Sequence, residues 1–328
     1  MSSASPALLR YIGVRILQAL PLLLGVVVVN FLLIQLAPGD PTTVLIGDYP
    51  APEEYVRQVR AEFGLDQPLL TRLVNYLGQL ARGNLGYSFA NRMPVRELIL
   101  QRLGATILLT GVAMALATVI GVLAGVWAAR HRGKATDGVL QTTALLGYSI
   151  PEFFLGQILI LIFAVWLGWL PSQGMRSARS TATGPAATLE VGMFLILPAI
   201  ALSMRYVALI SRLTRASVAE ALTSDYVLGA RARGVSERRV MFVHALRNAA
   251  APIVTVIGYN LSFILAGSAL VETVFAWPGI GRLLFDSITR RDYPVMTAIL
   301  LMVSIGVVLA NLITDLIQAV IDPRVRYS

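Results

Sequence analysis

Residues 225–252 read DYVLGARARGVSERRVMFVHALRNAAAP and separate two long apolar runs. Arg231, Arg233, Arg238, Arg239 and Arg247 alternate there with Gly229, Ala230, Ala232 and Gly234. Arginine offers a fork of donors matched to carboxylates, and small residues let a second backbone come close. A loop that needs only solubility, or that only touches lipid phosphates, requires the charges but not the interleaved small residues. The segment therefore predicts a docking surface for another protein.

Other chemistry is poorly supplied. His131 and His244 are the only histidines and fall on different polar segments near the expected inner face. The chain has no cysteine, so disulfides and thiolate metal sites are excluded. Lys134 is the only lysine. A phosphate-binding loop ending at it would need glycine at 128 and Ser or Thr at 135; both positions are alanine. No catalytic residue, metal site or nucleotide site is expected in this chain.

Four further residues stand out by position. Arg205 falls in the middle of an apolar run, where a charge costs roughly 2.5–3.5 kcal/mol on insertion scales. It is expected either to line a solute path or to pair structurally. Glu272, at the end of another run, is read the same way, with Arg282 or another arginine as its candidate partner. Trp277 and Pro278 belong to a WPGIG turn at 277–281 that either packs against helices or gates the path.

These residues need a membrane to be arranged in. The 328 residues are 56% hydrophobic and 14% charged, with mean hydropathy +0.71, against about 25% charged in soluble domains. The formal charge of +9 then reads as arginine at an inner membrane face, not as a nucleic-acid surface. Six runs approach the length of about 20 residues that a spanning helix needs: 12–37, 103–129, 152–170, 193–213, 251–273 and 295–321. The first, preceded by Arg10 and Arg15, is expected to be a retained anchor. Arg130, Arg132 and Lys134 after the second, and Arg212 and Arg215 at the end of the fourth, mark the inner side.

Between the first two runs, 38–102 carries seven acids and seven arginines, a balance suited to the outside. APGDP at 37–41 should stop the first helix, and short helices are expected over 52–63 and 68–82. Residues 136–149 are less apolar and are expected as a short helix at or just inside the interface, with Pro151 opening the third span. Trp127, Trp166, Trp169 and Trp277 sit near expected span ends, as interface anchors do. The units are thus an anchor over 1–37, an external loop over 38–102, a core over 103–321 with the polar segment 218–250 inside it, and a tail over 322–328. There is no internal repeat.

Ten short stretches in order resemble the B-type transmembrane subunit of bacterial dipeptide, oligopeptide and glutathione importers of the ABC class. They are LAPGDP at 36–41, GLDQPL at 64–69, GNLGYS at 83–88, SIPEF at 149–153, RLTRAS at 212–217, DYVLGARARGVSERRV at 225–240, HALRNAAAPIVTVIG at 244–258, VETVFAWPGIGRLL at 271–284, RDYPV at 291–295 and DPRVRY at 322–327. The resemblance implies an all-α, six-span permease of the type-I importer fold in a bacterial inner membrane, both termini cytoplasmic, with a long external loop after the first helix. It implies a homologous second permease, two cytoplasmic ATPases that bind the ATP and magnesium, an external solute-binding protein and a peptide-like solute.

The same resemblance places Asp225, Tyr226, Gly229, Ala230, Ala232, Gly234, His244, Arg247 and Asn248 in the loop that couples to the ATPase. Gly234 matches the glycine of the general coupling motif. Leu228 stands where that motif has glutamate, so a glutamate role is not carried over. Asn84 stands where the family usually has aspartate, and Arg205 where it mostly has a small or apolar residue. Two other classes are weighed: a self-sufficient secondary transporter, which predicts internal inverted repeats, and an intramembrane enzyme, which needs a nucleophile and base on facing spans. A permease for a non-peptide cargo, such as a nickel complex, is a variant of the first reading.

Overall fold

The computed structural model describes residues 6–36, 54, 66–88 and 90–321. The APGDP stop at 37–41, nearly all of the expected helix over 52–63, and the 322–328 tail lie outside the described residues.

Helix α1 spans Pro6–Leu36. Helix α2, Leu69–Ala81, starts after Pro68 as the sequence predicts. It is tied to α1 by the rings of Phe31 and Tyr76, stacked with centroids 5.7 Å apart. A small antiparallel pair, β1 Tyr87–Ser88 and β2 Met93–Pro94, follows.

Helix α3, Val95–Arg130, begins eight residues before the expected Leu103 (103 − 95). Arg96, Glu97 and Arg102 hide an apolar stripe from a hydropathy window. That stripe, Val95, Leu98 and Ile99, buries against Ile280, Leu283, Val295, Ala298 and Ile299 at one end of the fold.

Helices α4 (Ala135–Ser149) and α5 (Glu152–Trp166, its last turns wound as a π-helix) meet at a bend of 100°. Helix α6 runs Pro185–Ala221. Helix α7 (Asp225–Ala232) and α8 (Glu237–Asn248) form the polar segment, and α8 meets α9 (Ala250–Val274) at 61°. Helix α10 is Ile280–Thr289 and α11 is Tyr293–Ile321.

Among the described residues, three helices are long and apolar enough to cross a membrane, or up to five if each bent pair is one span. The apolar stretch of α1 that qualifies by composition, Leu17–Leu32, is shorter.

The short helix expected over 136–149 is α4, and it packs on α6. Asp137 meets Arg215, Gly147 faces Met204, and Tyr148 meets Arg205. Numbers rise on α4 as they fall on α6, so α4 lies antiparallel beside α6 for about 15 Å. Its polar residues are matched by arginines of α6, which a hydropathy window cannot see.

Helices α3 and α6 form the centre. A Cβ on Gly121 would sit 2.9 Å from Ile210 Cβ, and one on Gly125 would sit 2.6 Å from the Ser211 carbonyl and Thr214 Cβ. Two glycines four apart on one face let the backbones approach as membrane helices do. Around this contact, Leu109, Ala113 and Ala117 of α3 and Leu197, Leu202, Tyr206 and Ile210 of α6 bury with Ile264 and Val271 of α9.

Candidate functional site

The polar segment has two faces. Helix α7 fully buries Val227 and Ala230, three residues apart, while Tyr226 and Leu228 remain 43% and 51% exposed. Asp225, Gly229, Arg231 and Ala232 are exposed too. Helix α8 buries Val240, Met241 and Ala245, and the last two pack with Val126 and Ala129 of α3, Val218 and Ala219 of α6, Ala249 at the α8–α9 junction and Ile253 of α9. Phe242 and Val243 point outward, as do Arg238, Arg239, Arg247 and Asn248. His244 is half-buried, and its carbonyl accepts the Asn248 side-chain N–H.

Local chemistry explains the sharp turn. Gly234 has φ +76°, its N–H reaches the Arg231 carbonyl at 2.9 Å, and the Val235 N–H reaches the Ala230 carbonyl at 3.2 Å. That is a Schellman end for α7, with glycine in the left-handed position. Arg231 then closes the elbow onto Glu237, Nε–Oε1 2.8 Å. The small residues therefore divide in function. Ala230 is committed inside the chain and Gly234 to a turn, whereas Gly229 has no atom within 4 Å of a would-be Cβ. Gly229, with the exposed Ala232, stays free for close approach from outside.

An ion pair that the sequence reading missed roots this region. Arg215 Nε and Nη2 each lie 2.6 Å from an oxygen of Asp137. The Gly133 N–H and Gln141 side chain complete the carboxylate's shell at 3.1 and 3.2 Å. Asp137 sits in the first turn of α4, just after Arg130, Arg132 and Lys134. The Arg215 guanidinium, first, and the Gly133 N–H hold its carboxyl down at about 2. The available signal was a lone acid among inner-face bases.

Arg205 is exposed on α6, its Cζ 5.4 Å from the Tyr148 ring centroid. Glu152, within SIPEF but not singled out in the sequence, opens α5 across from it, and its Oε2 is buried without a hydrogen-bond partner among the described residues.

Glu272 sits in a knot of a different kind. It is fully buried. Its Oε1 accepts the Thr106 hydroxyl at 2.7 Å and the Ser268 hydroxyl at 3.2 Å, and its Oε2 accepts the Arg282 backbone N–H at 2.9 Å. Thr106 Oγ1 in turn accepts the Ile280 N–H at 2.8 Å. A carboxylate and a hydroxyl from two other helices thus cap the amino end of α10. The expected pairing with the Arg282 guanidinium is corrected: that group donates to the Ala276 carbonyl at 2.7 Å. Gly279 leaves room for the carboxylate, since a Cβ there would lie 2.3 Å from Glu272 Oε2.

Trp277 is also fully buried, its indole N–H on the Ala105 carbonyl at 2.8 Å, and Pro278 is half-buried. In this conformation neither Glu272 nor Trp277 presents a surface to a solute. Buried, Trp277 does not fit the expected interface anchor; Trp127, Trp166 and Trp169 are 47%, 72% and 65% exposed.

Known proteins match this arrangement along most of the chain. The chain is 43% identical over 317 residues to a probable peptide ABC transporter permease protein, y4tP, of Sinorhizobium fredii, covering 97% of this chain and 99% of that one. It is 40% identical to the di/tripeptide transport system permease protein DppB of Pseudomonas aeruginosa, over 98% of this chain and 100% of that one. It is also 40% identical to the glutathione transport system permease protein GsiC of Escherichia coli K12, with the same two shares. An inward-facing MetNI methionine ABC transporter chain is similar in fold, with TM-score 0.54 at 20% identity, covering 69% of this chain and 97% of that one. Residues 8–110 match the N-terminal region of a membrane component of binding-protein-dependent transport systems. Residues 121–327 match the main family itself, and the chain accordingly belongs to the binding-protein-dependent transport system inner membrane components.

Proposed function

We propose that this permease subunit carries peptide-like solutes inward as one half of a translocation path, and that the elbow of α7 and α8 receives the push of an ATPase. As an ABC importer permease it works with partner ATPase and binding-protein subunits; the complement proposed here is a second homologous permease, two ATPases that bind ATP and magnesium, and one external binding protein. Its termini are proposed to be cytoplasmic, and the chain itself to carry no catalysis.

One observation carries this reading: the two-faced elbow. Met241 and Ala245 of α8 anchor it to the ends of α3, α6 and α9, Val227 and Ala230 of α7 are buried, and Tyr226, Leu228 and Gly229 are presented outward. A surface fixed so firmly moves as one body with α3, α6 and α9, because packed interiors transmit displacement instead of absorbing it. When two ATPases close on ATP, two such elbows are drawn together and the permease halves rock, opening the path to the other side. Peptide-like cargo follows from the named relatives, which cover nearly the whole chain.

The test is reconstitution. The chain is co-expressed with its candidate partners, purified in mild detergent and placed in liposomes. Labelled dipeptide should enter only with ATP and binding protein together. Uptake by this chain alone on an ion gradient would contradict the reading, and uptake of another solute but not dipeptide would contradict the cargo.

A further inference from the structure

The geometry points to a solute contact at the break of the α4–α5 pair, where Arg205 and Glu152 hold the carboxylate and the ammonium of a zwitterionic peptide as it crosses. It rests on the peptide reading above and deepens it.

The position is unusual for charge. Arg205 lies twenty residues from the start of α6 and sixteen from its end (205 − 185 and 221 − 205), so it is near mid-depth. Leaving its guanidinium in lipid would cost roughly 2.5–3.5 kcal/mol. Yet it is exposed on this chain, stacked over the half-open Tyr148 ring and not locked onto a carboxylate. A few ångströms away the chain bends by 100°, and Glu152 begins the next helix. Glu152 is within electrostatic reach of Arg205 and Tyr206.

Its Oε1 lies against Gly267 of α9, 3.3 Å from where a Cβ would be, with the Tyr206 hydroxyl 3.7 Å from the same point. Its Oε2 is buried and has no hydrogen-bond partner among the described residues. A structural ion pair would bring the two charges together and satisfy that oxygen. Here the charges stand apart at a helix break. Broken helices at mid-depth are where transporters place their solute contacts. Opposite charges held apart match the two ends of a free peptide and match poorly a neutral or singly charged solute.

The test uses the assembled importer with its ATPases, second permease and binding protein, and L-alanyl-L-alanine as the probe. The chain lacks cysteine, so Tyr148→Cys and Arg205→Cys each introduce a single thiol. Both should react with a water-borne, membrane-impermeant thiol reagent during turnover, and dialanine should slow the reaction; an inert or unprotected thiol at both positions overturns the inference.

Glu152→Gln and Arg205→Gln should each lower maximal uptake about tenfold, as for losing one charge-assisted contact. Membrane abundance, and the KM set by the binding protein, should hold. In the double exchange E152R/R205E, continued loss supports a solute contact, whereas recovery means the residues serve only each other and overturns it. If wild-type importer moves dialanine and both glutamine variants match it, this inference falls alone. If wild type moves another solute but no dialanine, the peptide reading falls with it.

Discussion

The forked guanidinium of Arg215 meets both carboxylate oxygens of Asp137 at 2.6 Å, joining the first turn of α4 to the carboxyl-terminal part of α6. This contact fixes the antiparallel pair whose other end holds Tyr148 against Arg205. Asp137→Asn should therefore loosen α4 from α6 and reduce uptake, and the exchange D137R/R215D should restore part of the loss. Proteolytic sensitivity of the loop at 131–134, read beside uptake, checks both.

The same pair makes a pH prediction. Its carboxyl titrates at about 2, below the ordinary 3.8, because the guanidinium and the Gly133 N–H favour the charged form. A depressed folded value means that the stabilisation is full above the unfolded value and is lost as pH falls through the folded one. Between pH 5 and 8 this contact should contribute no slope. Thermal unfolding of wild type and Asp137→Asn over that range should differ by a constant offset. A gap that closes toward pH 5 would contradict the assignment.

Glycine at 125 is required by the close approach of α3 to α6. Gly125→Leu drives its side chain into the Ser211 carbonyl and Thr214, an overpacking that typically costs about 1–3 kcal/mol. Gly104→Ala on the same helix meets nothing within 4 Å and should be nearly neutral. Melting of the two purified variants in detergent compares them directly.

Glu272→Ala removes the acceptor of the Arg282 N–H and of the Thr106 hydroxyl. Each buried donor left without a partner costs about 1–3 kcal/mol. The amino end of α10 should open first, so amide exchange at 280–283 should rise well before exchange elsewhere. Unchanged protection there would mean that the carboxylate does not cap the helix.

Much of this was legible in the residues. Apolar runs predicted the long helices, Pro68 the start of α2, and the interleaving of arginine with small residues the exposed elbow. Hydropathy failed where a polar side chain has a partner far along the chain. Asp137 counted only as a polar residue of 136–149 because its arginine lies 78 positions away (215 − 137). The polar residues at 96, 97 and 102 hid the first two turns of α3. Glu272 looked like a partner for the Arg282 side chain, since no sequence rule indicates that a carboxylate will seek a main-chain N–H ten residues on. The division of the small residues, Ala230 inward, Gly234 in a turn and Gly229 outward, needed backbone angles and burial.

The most direct measurement is uptake by the assembled importer carrying Gly229→Trp. In this chain the side chain would enter open space, so folding and membrane insertion should match wild type. A partner seated on the elbow would be displaced by it. Near-complete loss of ATP-driven uptake, with normal abundance and lost co-purification of the ATPases, is the result predicted here; full uptake with the ATPases still bound would contradict the docking account.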